Sequence, residues 1–267
     1  MSDLPACQSL LVERDDGWLT VWLNRPEARN ALSAQMADEL AAVAAAIADD
    51  RQIRGVTFRG KGGVFCAGGD LKGFEAMMAD GVTAADAAAF SRRGGALFHA
   101  VNALPQVTVM LVEGAAMAGG LGLACAGDVV AATADARFAL TETMLGIPPA
   151  QIAPHVMQRV GLSAARRLML TAARFDGREA AALGLVDRVA DDAAGLDACE
   201  AEIRAAVRQC APGANAETKA LLLAAPHLGR EAMLDRAADS FARCLTGPEG
   251  REGVAAFLGK RKPRWSR

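Results

Sequence analysis

A chain of 267 residues that is 52% hydrophobic and 22% charged can bury a sizeable core, which excludes a disordered or fibrous protein. Its formal net charge is −2 with both signs scattered, so no basic face is offered to nucleic acid or to an anionic membrane surface.

In chain order, Ser9–Glu13 and Trp18–Leu23 are predicted as two strands of a hairpin around Asp15-Asp16-Gly17. Asn24-Arg25-Pro26 ends the second strand. Ser33 then caps a helix whose Met36, Leu40, Val43 and Ile47 recur at i, i+4, i+7 and i+11. Gly55–Phe58 is the next strand, followed by a helix from about Asp70 and another from about Thr83 to Asn102. Pro105 introduces a strand at Val107–Val112, and a helix starts near Gly119 and ends before Asp128. Val129–Ala131, Phe138–Leu140 and Leu185–Val189 complete the strands. The repeat is strand, strand, helix, unlike the strand–helix alternation of a dinucleotide fold. Such units wind as a spiral with small sheets stacked and helices outside, an α/β class. From about Asp192 to Gly259 the pattern is helical, broken at Pro212-Gly213 and Pro226. The expected division is a core over 1–191 and a helical region over 192–267.

Two glycine-rich segments carry the chemistry: Phe65-Cys66-Ala67-Gly68-Gly69-Asp70-Leu71, and Glu113-Gly114 through Gly122. Each follows a strand and opens a helix, leaving backbone N–H groups free at a positive dipole end. Singly, such glycines are most simply tight turns. Together, two such ends can clamp one oxygen that gains negative charge during a reaction.

These segments, with Asn24-Arg25-Pro26-Glu27-Ala28-Arg29-Asn30-Ala31-Leu32, Asp128 and the tail Lys260-Arg261-Lys262-Pro263-Arg264-Trp265, resemble the crotonase superfamily of enoyl-CoA hydratases and isomerases. The resemblance covers nearly the whole chain. It implies a ββα-spiral core, a helical C-terminal region that forms trimers or dimers of trimers, and acyl-CoA thioester substrates. The oxyanion donors would be the N–H groups of Gly69 and Gly119. Glu142 aligns with one of the hydratases' two glutamates; the other position is Gly122 in this chain. One carboxylate suits a proton shuttle between carbons, which is isomerase chemistry. Three readings follow: 2-enoyl-CoA hydration, Δ3,Δ2-enoyl-CoA isomerisation with Glu142 as the single acid/base, and a non-catalytic acyl-CoA-binding oligomer. The resemblance further implies CoA contacts at Arg29, Ala67, Leu71 and Lys72, and at Phe241, Phe257 and Lys260 reaching a neighbouring subunit. Pro149-Ala150-Gln151-Ile152-Ala153-Pro154 resembles the branched or glutaconyl-type CoA hydratases.

Other candidates read as structural. No Cys/His cluster has metal-ligand spacing, and the six cysteines, Cys66 included, are expected as reduced packing thiols. Asp70 is expected to orient its own loop, Asp128 and Asp135 to make turns, and His155 to pack. The N-terminal residues lack the charged and apolar regions of a secretory leader, so a soluble cytoplasmic enzyme with no metal and no cofactor beyond its CoA substrate is expected.

Overall fold

The computed structural model describes residues 3–79 and 81–266. Strands β1 (Leu10–Asp15) and β2 (Trp18–Leu23) pair antiparallel from Leu10 opposite Leu23 to Asp15 opposite Trp18. Their turn is Asp16-Gly17, both at positive φ, which suits the right-handed twist of the strands. Helix α1 (Ala34–Ile47) begins where the Ser33 hydroxyl accepts the Met36 N–H, and its apolar stripe is buried. β3 (Gly55–Gly60), α2 (Leu71–Ala79), α3 (Ala84–Asn102) and β4 (Val107–Val112) follow, with a Thr83/Asp86 capping box opening α3. Then come β5 (Ala115–Met117), α4 (Gly119–Cys125), β6 (Val129–Thr133) and β7 (Arg137–Ala139). α5 (Ala153–Thr171) is broken at Gly161, and β8 (Phe175–Asp176), α6 (Gly177–Ala182) and β9 (Arg188–Ala190) end the alternation.

Six strands form one sheet in the order β1-β2-β3-β4-β6-β9, parallel from β2 onward; β5-β7-β8 form a second sheet. β4 shows why a parallel strand reads as an unbroken apolar run. Met110 and Val112 enter the main core, whereas Val109 and Leu111 join a second cluster with Trp18 and Ala131 on the other face. Helix α7 (Ala193–Arg208) closes that face with Leu196, Cys199, Ile203 and Val207. The first helix past residue 192 is thus packed into the sheet itself.

Three differences from the sequence reading have simple causes. The last strand begins at Arg188; Leu185 and Val186 are buried in the turn before it. β5 and β8 are too short to show a period, and they pair only because β7 lies between them, with Phe138 stacked on Phe175 at 5.5 Å. Asp128 does more than make a turn. Its carboxylate accepts from the Thr108 N–H and hydroxyl and pairs with Lys219 at 2.5 Å. Lys219 also donates to the Gln106 carbonyl, so helix α8 (Pro212–Ala224) is tied to the starts of β4 and β6.

Arg54 makes a second tie, donating to the carbonyls of Val207, Cys210 and Trp265. Beside it a cavity of about 880 Å³ is walled by Arg14, Arg51, Arg208 and Trp265. It lies where β2 and β3 start, at the other end of the strands from the glycine turns. Helices α9 (Arg230–Thr246) and α10 (Pro248–Leu258) finish the fold. Phe241 is 67% exposed and Phe257 84% exposed, so neither serves its own chain's core. Among the described residues no helix is long and apolar enough to cross a membrane.

Candidate active site

The segment 24–32 is a scaffold for the first glycine turn. Asn30 is fully buried; its amide donates to the carbonyls of Lys61 and Val64, and its Oδ1 accepts the Arg25 N–H. The Arg25 guanidinium donates to the Ala31 carbonyl and to the Asp70 carboxylate at 3.0 Å, while that carboxylate also accepts the Lys72 N–H at 3.2 Å, so Asp70 orients its own loop, as expected, and is held from outside it as well. The Leu32 N–H donates to Gly68 O, the Asp70 N–H to Leu32 O and the Ala67 N–H to Arg29 O. On the other flank the Cys66 N–H donates to Ala115 O and Cys66 O accepts from Met117. Every one of these bonds skips the Gly69 N–H.

The second turn is stiffer. Ala118 sits at φ 48°, ψ −120°, a region that costs a residue with a Cβ on the order of 1–3 kcal/mol. Its N–H donates to Ala139 O at 2.8 Å, which fixes it in place. Gly68, at φ 103°, lies directly opposite: a Cβ there would stand 3.0 Å from the Ala118 Cβ. The two turns meet where both lack bulk. A Cβ on Gly119 would stand 3.8 Å from the Gly69 nitrogen. Among the described residues neither the Gly69 nor the Gly119 N–H donates to a backbone carbonyl. Two close, uncommitted donors are what an oxyanion requires.

Glu142 follows β7, the strand paired with β5, which leads into the second turn. Met117 pairs with Ala139, so the chain leaves β7 next to the Ala118–Gly119 turn and begins a 3-10 turn at Glu142. The Glu142 Oε2 is buried and accepts no hydrogen bond. Burial pushes this carboxyl above its usual range, opposed by a bond from its own N–H. A carboxylate raised by desolvation is suited to giving and taking protons near neutral pH.

The neighbourhood contains more that sequence spacing does not reveal. A Cβ on Gly122 would fall onto the Ile152 Cγ2 and 2.5 Å from its Cβ. A Cβ on Gly120 would lie 2.5 Å from Cys66 O and 2.9 Å from its Sγ. Cys66 is fully buried and its thiol is pushed up to about 12 by desolvation, so it packs. His155 is half-buried at 6.3 Å from Phe98, and burial, then His99, lower its pKa. No group of three His, Cys, Asp or Glu among the described residues could hold a metal ion.

Of the other expected contacts, Ala67 lies in the first turn, Arg29 touches it through its carbonyl, and Leu71 and Lys72 are exposed at the start of α2. Phe241 and Phe257 are exposed on α9 and α10, and Lys260 is exposed in the turn just past α10. Among the described residues no hydrogen bond or ring contact joins them to the glycine turns. The sequence reading quotes Arg25, Asn30 and Ile152 within longer segments but gives none of them a role of its own. A buried asparagine in an exposed-looking segment is the one of these that its motif signals.

Residues 13–267 match the sequence pattern of the enoyl-CoA hydratase/isomerase family. The fold superposes on AtuE of Pseudomonas aeruginosa with a TM-score of 0.95 at 51% identity, covering 97% of this chain and 100% of that one. An enoyl-CoA hydratase/isomerase from Marinobacter aquaeolei gives 0.93 at 42% identity, over 98% and 100% of the two chains. The human mitochondrial enoyl-CoA hydratase domain-containing protein 2 is 35% identical over 94% of this chain and 86% of its own length.

Proposed function

This chain is an enzyme of the enoyl-CoA hydratase/isomerase family, and from that premise we propose that it adds water reversibly across the 2,3 double bond of an enoyl-CoA thioester. The observation that carries the reading is the closeness of the uncommitted Gly69 and Gly119 amides. A thioester carbonyl bound there accepts both. When hydroxyl adds at C3, the double-bond pair moves toward C1 and the carbonyl oxygen becomes an enolate. Donors set for that enolate hold the transition state better than the ground state, and one donor is worth about 2.7–4 kcal/mol. Glu142 takes the proton from the attacking water and returns a proton to C2, completing a syn addition. No cofactor enters; CoA is the handle of the substrate.

A second reading is isomerisation of 3-enoyl to 2-enoyl thioesters by the same carboxylate. It is favoured by the carbon that faces position 122 in place of an acid. The proposal extends to assembly. The exposed Phe241, Leu245, Val254, Phe257 and Leu258 on α9 and α10 support a trimer or dimer of trimers. There Phe241 and Phe257 flank the CoA of a neighbouring subunit and Lys260 meets its phosphates. Purified enzyme is to be given a panel of 2-enoyl- and 3-enoyl-CoA thioesters while conjugated-enoyl absorbance is followed. Loss of absorbance with 2-enoyl substrates is the expected result. A rise with 3-enoyl substrates alone would give the isomerase reading instead.

A further inference from the structure

We propose that Ile152 is the specificity-determining residue of this site: seated on Gly122, it bars a second carboxylate and leaves Glu142 to serve both ends of the proton transfer. The inference rests on the enoyl-CoA reading above.

Helix geometry sets the stakes. Positions 119 and 122 are three apart on α4, so a side chain at 122 would stand one turn from the Gly119 amide, on the same face. That space is filled: Ile152 is 3% exposed, and both its Cγ2 and its Cβ lie within the reach of a Cβ on residue 122. The Cβ matters most, because it cannot rotate away as a side-chain tip can. Any residue larger than glycine at 122 therefore requires the backbone of 151–153 to shift.

That backbone is anchored on both sides. Gln151 donates from Nε2 to the Ser91 hydroxyl at 3.0 Å, and its amide lies against Gly95 of α3, where a Cβ would stand 2.8 Å from the Gln151 Cδ. The Ala153 N–H donates to Pro149 O and the Val156 N–H to Ile152 O. Residues 151 and 152 thus key into two glycines on two helices, Gly95 and Gly122. The dipeptide joins α3 to α4 and holds an apolar wall beside the donors.

The chemical consequence is a site with one proton carrier. In isomerisation the C2–H bond breaks and its proton passes to Glu142. Its electron pair becomes the C2=C3 bond, with charge held on the thioester oxygen in between. The C3=C4 pair then takes the proton back at C4. In hydration the same carboxyl accepts a proton from water as hydroxyl joins C3, and delivers one at C2. Both balance without a second acid, and an apolar wall keeps bulk water from the carried proton.

The test is a cycle of Gly122→Glu, Ile152→Gly and the double variant, with Ile152→Val as the conservative control; glycine is needed at 152 because alanine would keep the Cβ that blocks position 122. Melting temperature, hydration of 2-enoyl-CoA, isomerisation of 3-enoyl-CoA and the pH profile of kcat/KM are read for each. Gly122→Glu alone is expected to melt well below the wild type. Ile152→Gly in the same chain restores most of that loss. The double variant gains hydration relative to isomerisation by at least about tenfold, below the 10²–10⁴-fold usual for a placed acid. Its pH profile shows a second ionisation, whereas the wild type and Ile152→Val show one carboxyl. A Gly122→Glu protein that melts with the wild type, or a stable double variant with the wild-type ratio and a single ionisation, would overturn the assignment. Should the wild type turn over neither thioester, the enoyl-CoA reading and this inference fall together. A failed melting cycle in an active enzyme removes the Ile152 assignment alone.

Discussion

The start of α4 and the pair α9–α10 are built on opposite plans. Along α4, positions 120–125 are all buried, and each glycine receives part of another segment: Cys66 against Gly120, Ile152 against Gly122. Along α9 and α10 only Ser240 and Ala256 are buried, while Phe241, Leu245, Phe257 and Leu258 face outward. Short helices with so little packing of their own are stabilised by what they dock on. Gly69, Gly119 and Glu142, the residues of the candidate site, all belong to one chain. The apolar side chains of α9 and α10 are left uncovered by their own chain.

The contrast can be broken at either end. The largest effect belongs to the self-contained half: Glu142→Gln is expected to lower turnover about 10²–10⁴-fold with CoA binding retained. Wild-type turnover of any enoyl-CoA by that variant would remove Glu142 from the chemistry. Next comes the shared half. Replacing Phe241 and Phe257 together by Ser is expected to dissociate the assembly, seen as a smaller mass by light scattering, while the fold, seen by circular dichroism, survives because both rings are exposed in the single chain. An unchanged oligomer of full activity would leave the two-plan description without its second plan. A smaller effect is expected from Lys260→Ala, a few-fold weaker binding of CoA thioesters that vanishes at high salt, as screening of an exposed lysine requires. Salt-independent weakening would mean that Lys260 acts by packing.

The smallest effect sharpens the comparison through stability. Burial raises the Glu142 carboxyl, so the folded state holds its proton to a higher pH than the unfolded state does. Stability from this group is full below the usual carboxylate range and is lost as pH rises through the raised value. Glu142→Gln should therefore melt higher than the wild type at neutral pH, with the gap closing as pH falls through the carboxylate range. An equal melting temperature at both pH values would contradict the buried, unbonded oxygen.

Much of the frame was legible because it is local. The Ser33 cap, the apolar stripe of α1, the Asp16-Gly17 turn and the glycines that end strands all announce themselves within a few residues. Gly69, Gly119 and Glu142 are named as candidates on the same kind of local ground, glycine turns and a carboxylate that follow strands in the chain. What stayed hidden joins distant segments. Arg25 reaches Asp70, Lys219 reaches Asp128, and Ile152 reaches Gly122. No spacing rule couples such pairs. The three-residue β5 and two-residue β8 carry no period, and they exist as strands because the chain places β7 between them.

The meeting of Gly68 with Ala118 has a consequence for how this protein could change over generations. One residue is strained and the other has no room for a side chain, and each condition permits the other. A side chain at 68 would meet the Ala118 Cβ and sit at a positive φ besides, so the first turn has no room to drift there. Position 118 is different: Ala118→Gly removes a Cβ from a strained backbone and costs nothing in contact. Change at this meeting point is therefore one-directional, toward less bulk, and the approach of the two turns is preserved by what can be taken away rather than by what can be added.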